Sequence, residues 1–252
     1  MSTLAANLRA THAPDRPAPR MARRLPGVRG AATFLIHRIA DRIAASLDYR
    51  GRVIDLGCGT APYKAMILGR ADEYIGVDWR HSLHGDAHVD IIADLTRPLP
   101  LAEAQADTVV SFQVMEHLPE PARFLRECHR LLKPGGRLHL AVPFMWHVHE
   151  APHDYYRYTR HGLEHLLAKA GFTDIRIEAY GGFWTTWVLK FNYHTLRRTR
   201  GAGIVLAVAL MPVWLLGQWL APMLDRLEPR EDEATGYIAS ATKPGASPGA
   251  GQ

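Results

Sequence analysis

The chain has 252 residues, of which 47% are hydrophobic and 22% are charged. This composition is that of a globular protein of one domain with appendages, and it excludes a mainly disordered, collagen-like or multi-span membrane chain. Its two cysteines, Cys58 and Cys128, exclude a disulfide scaffold and indicate a reducing compartment.

The net charge of +5 lies entirely in residues 1–30, which hold six arginines against one acid. Four prolines and the lack of an apolar run predict that these residues form a disordered basic tail and not a secretory signal. A transit peptide or a patch for anionic lipid are the alternatives. Because the rest of the chain is neutral in sum, no nucleic-acid partner is expected.

After Gly30, apolar residues recur at helical spacing from Phe34 to Leu47 and predict an amphipathic helix. Short apolar strands then alternate with helices. The strands are predicted at 52–56, 74–78, 88–93, 107–111, 136–142 and 173–179, and the helices at 62–69, 119–132 and 160–170. This alternation predicts a mostly parallel sheet that is covered on both faces.

An uncharged run of 24 residues, 201–224, is long enough in principle to cross a membrane. A last strand at 235–241 has to return to the sheet, and a single crossing would prevent that. We therefore predict a helical hairpin or kinked helix that lies in the membrane interface. Four tryptophans are predicted at headgroup level, namely Trp184, Trp187, Trp214 and Trp219. A soluble lid over an apolar acceptor and a dimer face are the alternatives.

The segment VIDLGCGT is a strand followed by a glycine-rich turn, which lets a ligand approach the backbone. Asp78 ends the next strand, where a carboxylate accepts the hydroxyls of a ribose. A dinucleotide fingerprint requires glycine or alanine five positions after Gly57, where this chain has Pro62. Asp55 would also repel a pyrophosphate. The pattern favours a ligand with ammonium and sulfonium groups, and a nicotinamide oxidoreductase is the weaker alternative.

Six segments in order resemble the motifs of class I S-adenosylmethionine-dependent methyltransferases of the type 11-like group. They are VIDLGCGTAPY, YIGVDW, DIIADLTRPLP, DTVVSFQVMEHLPEP, FLRECHRLLKPGGRLHLAVPF and LEHLLAKAGF. The resemblance covers about residues 50–180 and resumes at 235–242. The apolar insertion before the last strand departs from the family pattern.

The resemblance implies an α/β fold with a Rossmann-like doubly wound sheet. Six strands are expected to be parallel, and the seventh to insert antiparallel between the two before it, after a hydrophobic helical insertion. The methyltransferase domain would comprise 31–180 and 235–243. The insertion, 181–234, is expected to be membrane-associated, and 244–252 to be a flexible tail.

The resemblance also implies S-adenosylmethionine as the cofactor and assigns residues to it. The expected cofactor-binding residues are Asp55, Gly57, Cys58 and Gly59 around the methionine part, Asp78 on the ribose, Trp79, Asp94 and Leu95 at the adenine, and Gln113 in the pocket. A turn cap is the alternative role for Asp94.

The loop 143–159 follows the fifth strand and should lie over the transferable methyl group. His149 or His153 is predicted to be a general base, together with Asp154, for an acceptor hydroxyl. Arg157 and Tyr158 are predicted to contact the acceptor, and Arg157 alternatively pairs with Asp154.

Two further arrangements of polar residues are weighed against that site. A metal set built from His147, His149, His153 and Asp154 is the less favoured interpretation, so no metal is expected. Glu116 and His117 are a second candidate pair, and the alternative for Glu116 is a cap on the following helix.

Taken together, the sequence predicts a class I methyltransferase that acts on an unidentified acceptor. A lipid-linked, saccharide or hydrophobic small molecule would serve. The predicted location is cytoplasmic, with peripheral membrane contact through 181–224. A non-catalytic scaffold that binds the cofactor at a membrane is the alternative.

Overall fold

The computed structural model describes residues 27–80, 87–199 and 203–245. Most of the predicted basic tail and of the predicted C-terminal tail therefore lies outside the described residues. Within them, the strands are β1 Arg52–Leu56, β2 Glu73–Asp78, β3 Ile91–Ile92, β4 Ala106–Phe112, β5 Leu132–Pro143, β6 Thr173–Tyr180 and β7 Gly236–Thr242. The helices are α1 Val28–Ser46, α2 Lys64–Leu68, α3 Pro121–Leu131, α4 Arg160–Lys169, α5 Phe183–Leu196 and α6 Ile204–Leu227.

The strands form one sheet in the order β3-β2-β1-β4-β5-β7-β6. β7 runs antiparallel to both of its neighbours, with Ala239 opposite Leu140 of β5 and Ile177 of β6. The remaining pairings are parallel. This topology confirms the predicted Rossmann-like sheet with its inserted antiparallel strand.

The central strands are apolar on both faces because helices cover the sheet from two sides. In β1, Val53 and Ile54 are fully buried and belong to two different core clusters. Cys58 and Cys128 are both buried free thiols. β5 begins at Leu132, four residues before the predicted strand, because Gly135 and Gly136 exchange main-chain hydrogen bonds with Lys243 just after β7.

The insertion between β6 and β7 is a pair of packed helices, α5 and α6. Both prolines of α6, Pro212 and Pro222, lie inside a continuous helix of 24 residues. The described part of the uncharged run is therefore a single helix and not a hairpin by itself. The helical hairpin is formed by α5 and α6 together, with the start of α5 next to the end of α6. α6 is long and apolar enough to cross a membrane, judged by length and composition.

α1 packs on this hairpin, although the predicted division of the chain places α1 in the methyltransferase domain and the hairpin in a separate insertion. Ala32, Ala207 and Trp214, one cluster from α1 and α6, are completely buried. The prediction that Trp214 lies at headgroup level is therefore wrong, because its ring fills this core and its Nε1 donates to Thr195 Oγ1 at 2.9 Å. Trp187 and Trp219, by contrast, are more than half exposed.

Candidate active site

The turn after β1 forms a cradle at the carboxyl edge of the sheet. Gly57 and Gly59 have φ angles of +83° and +53°. A Cβ at Gly57 would overlap the side chain of Val114, so only glycine fits there. The Gly57 and Cys58 N–H groups donate to Val77 O at 2.8 and 3.2 Å, which ties the turn to β2.

Asp78 lies across this turn, at the end of β2. One of its carboxylate oxygens accepts from Gly59 N and the other from Trp79 N, both at 2.7 Å. These bonds fix the carboxylate at the mouth of the cradle. Trp79 follows directly and is 39% exposed.

Asp55 lies beneath the turn and is only 4% exposed. Tyr74 donates its hydroxyl to Asp55 Oδ2 at 2.6 Å. Burial raises the pKa of Asp55 to about 7, against the opposing effect of the Tyr74 hydrogen bond and with a further contribution from Asp78. A cationic ligand above the turn would stabilise the ionised form of this carboxyl.

The other predicted cofactor residues border the same edge. Asp94 accepts from Thr96 N and Thr96 Oγ1 at 2.9 and 2.7 Å, so it also caps its own turn, as the alternative interpretation held. Leu95 is buried in the core below it. Gln113 directly follows β4 with φ +57°, and its Nε2 donates to Tyr180 OH at 3.0 Å.

Arg157 and Asp154 are the centre of the loop 143–159. The guanidinium makes a bidentate pair with the Asp154 carboxylate at 2.6 and 2.7 Å, and it also donates to main-chain carbonyls of Trp146 and His147. The burial of Asp154 acts to raise its pKa, but hydrogen bonds from Arg157 and from His149 N hold that pKa at about 2. Arg157 thus pairs with Asp154, which was the alternative to an acceptor contact.

Tyr158 lies inside the fold, at 5% exposure, and donates its hydroxyl to Met115 O at 2.9 Å. An acceptor contact by Tyr158 or Arg157 would require these bonds to break. His153 is exposed, and its ring lies edge-on to Trp79 with 5.7 Å between ring centroids. The loop therefore reaches over the half of the site where the adenine is expected.

Glu116 is the residue for which the sequence left two roles open. It does not cap α3: its side chain is fully buried, and neither oxygen accepts a hydrogen bond from another described residue. Burial raises its pKa to about 8. The Nε2 atoms of His117 and His149 lie 3.8 and 4.0 Å from Glu116 Oε1. The motif MEH marked this pair, but the approach of His149 from a distant loop was not visible in the sequence.

Comparison with known proteins places this geometry in a family. The profile of the Methyltransferase domain family matches residues 28–177. A probable S-adenosylmethionine-dependent methyltransferase of Mycolicibacterium smegmatis is 36% identical over 114 residues, covering 43% of this chain and 41% of that protein. A ubiquinone biosynthesis O-methyltransferase of Xanthomonas oryzae pv. oryzae is 34% identical over 113 residues, covering 40% and 47%. This chain spans less than half the length of either relative.

Solved structures share the fold at low sequence identity. Phosphoethanolamine N-methyltransferase 2 of Haemonchus contortus, solved in complex with S-adenosyl-L-methionine, has a TM-score of 0.52 and 16% identity, and the match covers 85% of this chain and 56% of that one. The [4+2]-cyclase SpnF has a TM-score of 0.52 and 23% identity, with coverage of 83% and 81%. The fold alone therefore does not define the reaction.

The family match spans more than half of the chain, and the sheet order and the glycine cradle agree with it. The chain belongs to the class I S-adenosylmethionine-dependent methyltransferases. The residues present fit this cofactor: Gly57 and Gly59 have the positive φ angles of a tight turn at the carboxyl end of β1, and Asp55 and Asp78 offer carboxylates to its cationic groups and to its ribose.

Proposed function

We propose that this chain transfers the methyl group of S-adenosylmethionine to a small apolar acceptor at a membrane surface. The observation that carries this proposal is the juxtaposition of the cradle and the loop 143–159, since His153 of the loop meets Trp79 beside the cradle. A cofactor held by the cradle and an acceptor held under the loop would meet at one edge of the sheet.

Bound S-adenosylmethionine supplies an electrophilic methyl group on a sulfonium sulfur. The chain then has to hold the two reactants in line, exclude water and take a proton when the acceptor atom is a hydroxyl oxygen. Asp55 and Asp78 serve the first task, and the Arg157–Asp154 pair keeps the loop in place. His153 is the proposed proton acceptor because it is exposed on the loop that covers the site. His149, the other candidate, has its Nε2 4.0 Å from Glu116 Oε1.

The apolar acceptor is inferred from what surrounds the loop. Trp146 and His147 pack on Tyr193 of α5, with ring centroids 5.1 and 5.3 Å apart. The hairpin of α5 and α6 is thus the neighbour of the acceptor side. A hydrophobic small molecule agrees with the name of the ubiquinone biosynthesis relative, and lipid-linked and saccharide acceptors are the competing classes.

The membrane contact is inferred from the outer face of the hairpin. Its exposed large apolar residues, each at least 37% exposed, are Trp187, Ile204, Val205, Leu206, Val208, Val213, Leu215, Leu216, Trp219, Leu220, Met223, Leu224 and Leu227. A groove of about 540 Å³ beside Trp219 and Met223 is lined by four arginines of α1 and of the region around the α6 end, Arg38, Arg42, Arg226 and Arg230, and by two acids, Asp225 and Glu231. Apolar and cationic side chains together suit an anionic membrane surface.

The activity is tested with methyl-labelled S-adenosylmethionine, the full chain and host-cell extract, followed by separation of lipid, saccharide, protein and small-molecule fractions. Label in an organic-soluble fraction supports the apolar acceptor. Label in the saccharide fraction contradicts it and supports a saccharide acceptor. Retained cofactor binding without any transfer would favour the scaffold over the enzyme.

The cofactor assignment is tested with Asp78→Ala. We expect affinity for S-adenosylmethionine to fall by about 1.5 to 3 kcal/mol, the scale of hydrogen bonds to a charged group, as measured by calorimetry. Asp72→Ala, an exposed carboxylate just before β2, is the matched control and should bind as the parent chain does. Equal affinities of the two variants would contradict the role of Asp78.

The membrane contact is tested by flotation with anionic and neutral vesicles. Because α6 also buries residues against α1, deleting it would damage the fold, so the test uses Leu216→Ser with Trp219→Ser on its outer face. This variant should lose most of its binding to anionic vesicles. Leu68→Ser on α2, where Leu68 is 43% exposed, should not. Flotation that both changes leave intact would show that this face does not bind the membrane, and absence of flotation by the parent chain would favour the soluble lid.

A further inference from the structure

We propose that Glu116, His117 and His149 form a binding site for one divalent transition-metal ion. One ligand atom from each residue lies within 4.8 Å of the other two. Glu116 Oε1 is 3.8 Å from His117 Nε2 and 4.0 Å from His149 Nε2. Ligand atoms around a tetrahedral Zn²⁺ are about 3.4 Å apart, so small side-chain rotations close the set.

The buried carboxyl of Glu116 is the independent observation. Its side chain has no exposed surface, and neither oxygen receives a hydrogen bond from the described part of the chain. A buried acceptor without a partner is costly and calls for a partner that is itself absent from the polypeptide. A cation between Glu116 and the two imidazoles supplies that partner.

The Nδ1 atoms of His117 and His149, which face away from Glu116, have partners like those of metal-binding histidines. His117 Nδ1 lies 2.6 Å from the carbonyl of His153, so it carries the proton and leaves the Nε2 lone pair facing Glu116. His149 Nδ1 lies near two acceptors, the His147 carbonyl and an Asp154 oxygen, each at 3.4 Å. One donor, Arg157 Nη2, lies at the same distance. Carbonyl and carboxylate partners at Nδ1 are characteristic of metal-binding histidines.

A fourth ligand is within reach. Glu150 Oε2 lies 4.0 Å from His117 Nε2, and the Glu150 side chain is 43% exposed and able to move. Two imidazoles with one or two carboxylates suit Zn²⁺, Mn²⁺ or Co²⁺ better than Mg²⁺, which prefers oxygen ligands. This set differs from the metal set weighed in the sequence analysis. Asp154 belonged to that set but is paired with Arg157, and Glu116 was not part of it.

The role of the ion rests on the proposed function, whereas its binding does not. Glu116 and His117 follow β4 and His149 follows β5, so the site lies where the acceptor is proposed to enter. An acceptor oxygen at an open position of the ion would lose its proton to solvent more readily and keep the electron pair. That electron pair would then form the bond to the methyl carbon while the bond between this carbon and the sulfonium sulfur breaks.

The test measures metal binding by the untagged full chain, without cofactor or acceptor. After treatment with a chelator, Co²⁺ is titrated and followed by its visible absorption, and Zn²⁺ by calorimetry. We expect one ion per chain that equimolar Mg²⁺ does not displace. Glu116→Gln and His149→Gln should each bind at least about tenfold more weakly.

The matched control changes the same residue types on the surface of α4, where Glu164 and His165 are exposed. Glu164→Gln with His165→Gln should bind the ion as the parent chain does. Retained affinity for S-adenosylmethionine shows that each variant is folded. Absence of binding by the parent chain, or equal binding by Glu116→Gln and the control, would overturn the proposal. Failure of methyl transfer alone would bear only on the proposed function.

Discussion

Asp55 combines two properties that are seldom found in one side chain, because it is buried and faces a site for a positively charged ligand. The groups that act on it are Tyr74 and Asp78 of β2, and Tyr49 and Tyr63 are also close enough to sense its charge. With a pKa of about 7, a large fraction of the free chains carries a proton on Asp55 at neutral pH. A cationic cofactor favours the ionised carboxylate, so binding has to release that proton.

This linkage predicts the pH dependence of cofactor affinity. Below pH 7 binding must remove a proton, and above pH 7 Asp55 is already ionised, so affinity should rise about tenfold from pH 6 to pH 8 and then level off. Calorimetry at several pH values, in buffers of different ionisation enthalpy, measures both the affinity and the protons released. Asp55→Asn should bind more weakly at pH 8 and lose this slope. A slope of the same size in Asp55→Asn would assign the proton to another group.

Among the elements, α5 shows how a distant residue determines where a helix begins. Its Ncap residue is Gly182, which has no side chain to accept from the first turn. Asp225, near the end of α6, takes that role by accepting from Gly182 N at 3.0 Å, Trp184 N at 2.9 Å and Thr185 N at 3.2 Å. A carboxylate at a helix N-terminus also interacts favourably with the helix dipole.

Asp225→Ala should therefore lower the free energy of unfolding by about 1 to 2 kcal/mol, the usual cost of a lost cap. Asp225→Asn keeps an acceptor oxygen and should lose less. Urea unfolding followed by circular dichroism measures both. Asp232→Ala, at an exposed carboxylate in the turn after α6, serves as the control and should be near neutral. Equal stability of the Asp225 and Asp232 variants would show that the cap contributes nothing.

The same helix explains what could be predicted from the sequence. Strands β1, β2, β4 and β6 were predicted to within about one residue because apolar runs and turn residues define them locally. α5 was not predicted, since its cap lies some forty residues later and no local signal marks its start. The cofactor cradle follows from a local glycine motif, whereas the cluster at Glu116 depends on a loop that only the fold brings to it.

At the scale of the whole molecule, the insertion is part of the structure that holds α1 in place. Gln218 of α6 donates to Ala31 O at 2.7 Å and accepts from Leu35 N at 3.0 Å, and Asn192 of α5 donates to Ala32 O at 3.0 Å. These side-chain amides are buried. α1 and the helices before the last strand thus form one unit beside the sheet.

If that unit is held by its polar contacts, Gln218→Leu should loosen α1 and leave the sheet intact. The change keeps the side-chain size but leaves Ala31 O and Leu35 N without this partner, at a cost of about 1 to 3 kcal/mol. Hydrogen exchange of residues 28–46 should become faster while β1, β4 and β5 stay protected. Gln105→Leu is the matched control, because the buried Gln105 Nε2 has no hydrogen-bond partner among the described residues. Unchanged exchange in α1 would mean that apolar packing alone holds this helix. Equal loss of protection in the sheet would mean that the hairpin, α1 and the sheet unfold as a single cooperative unit.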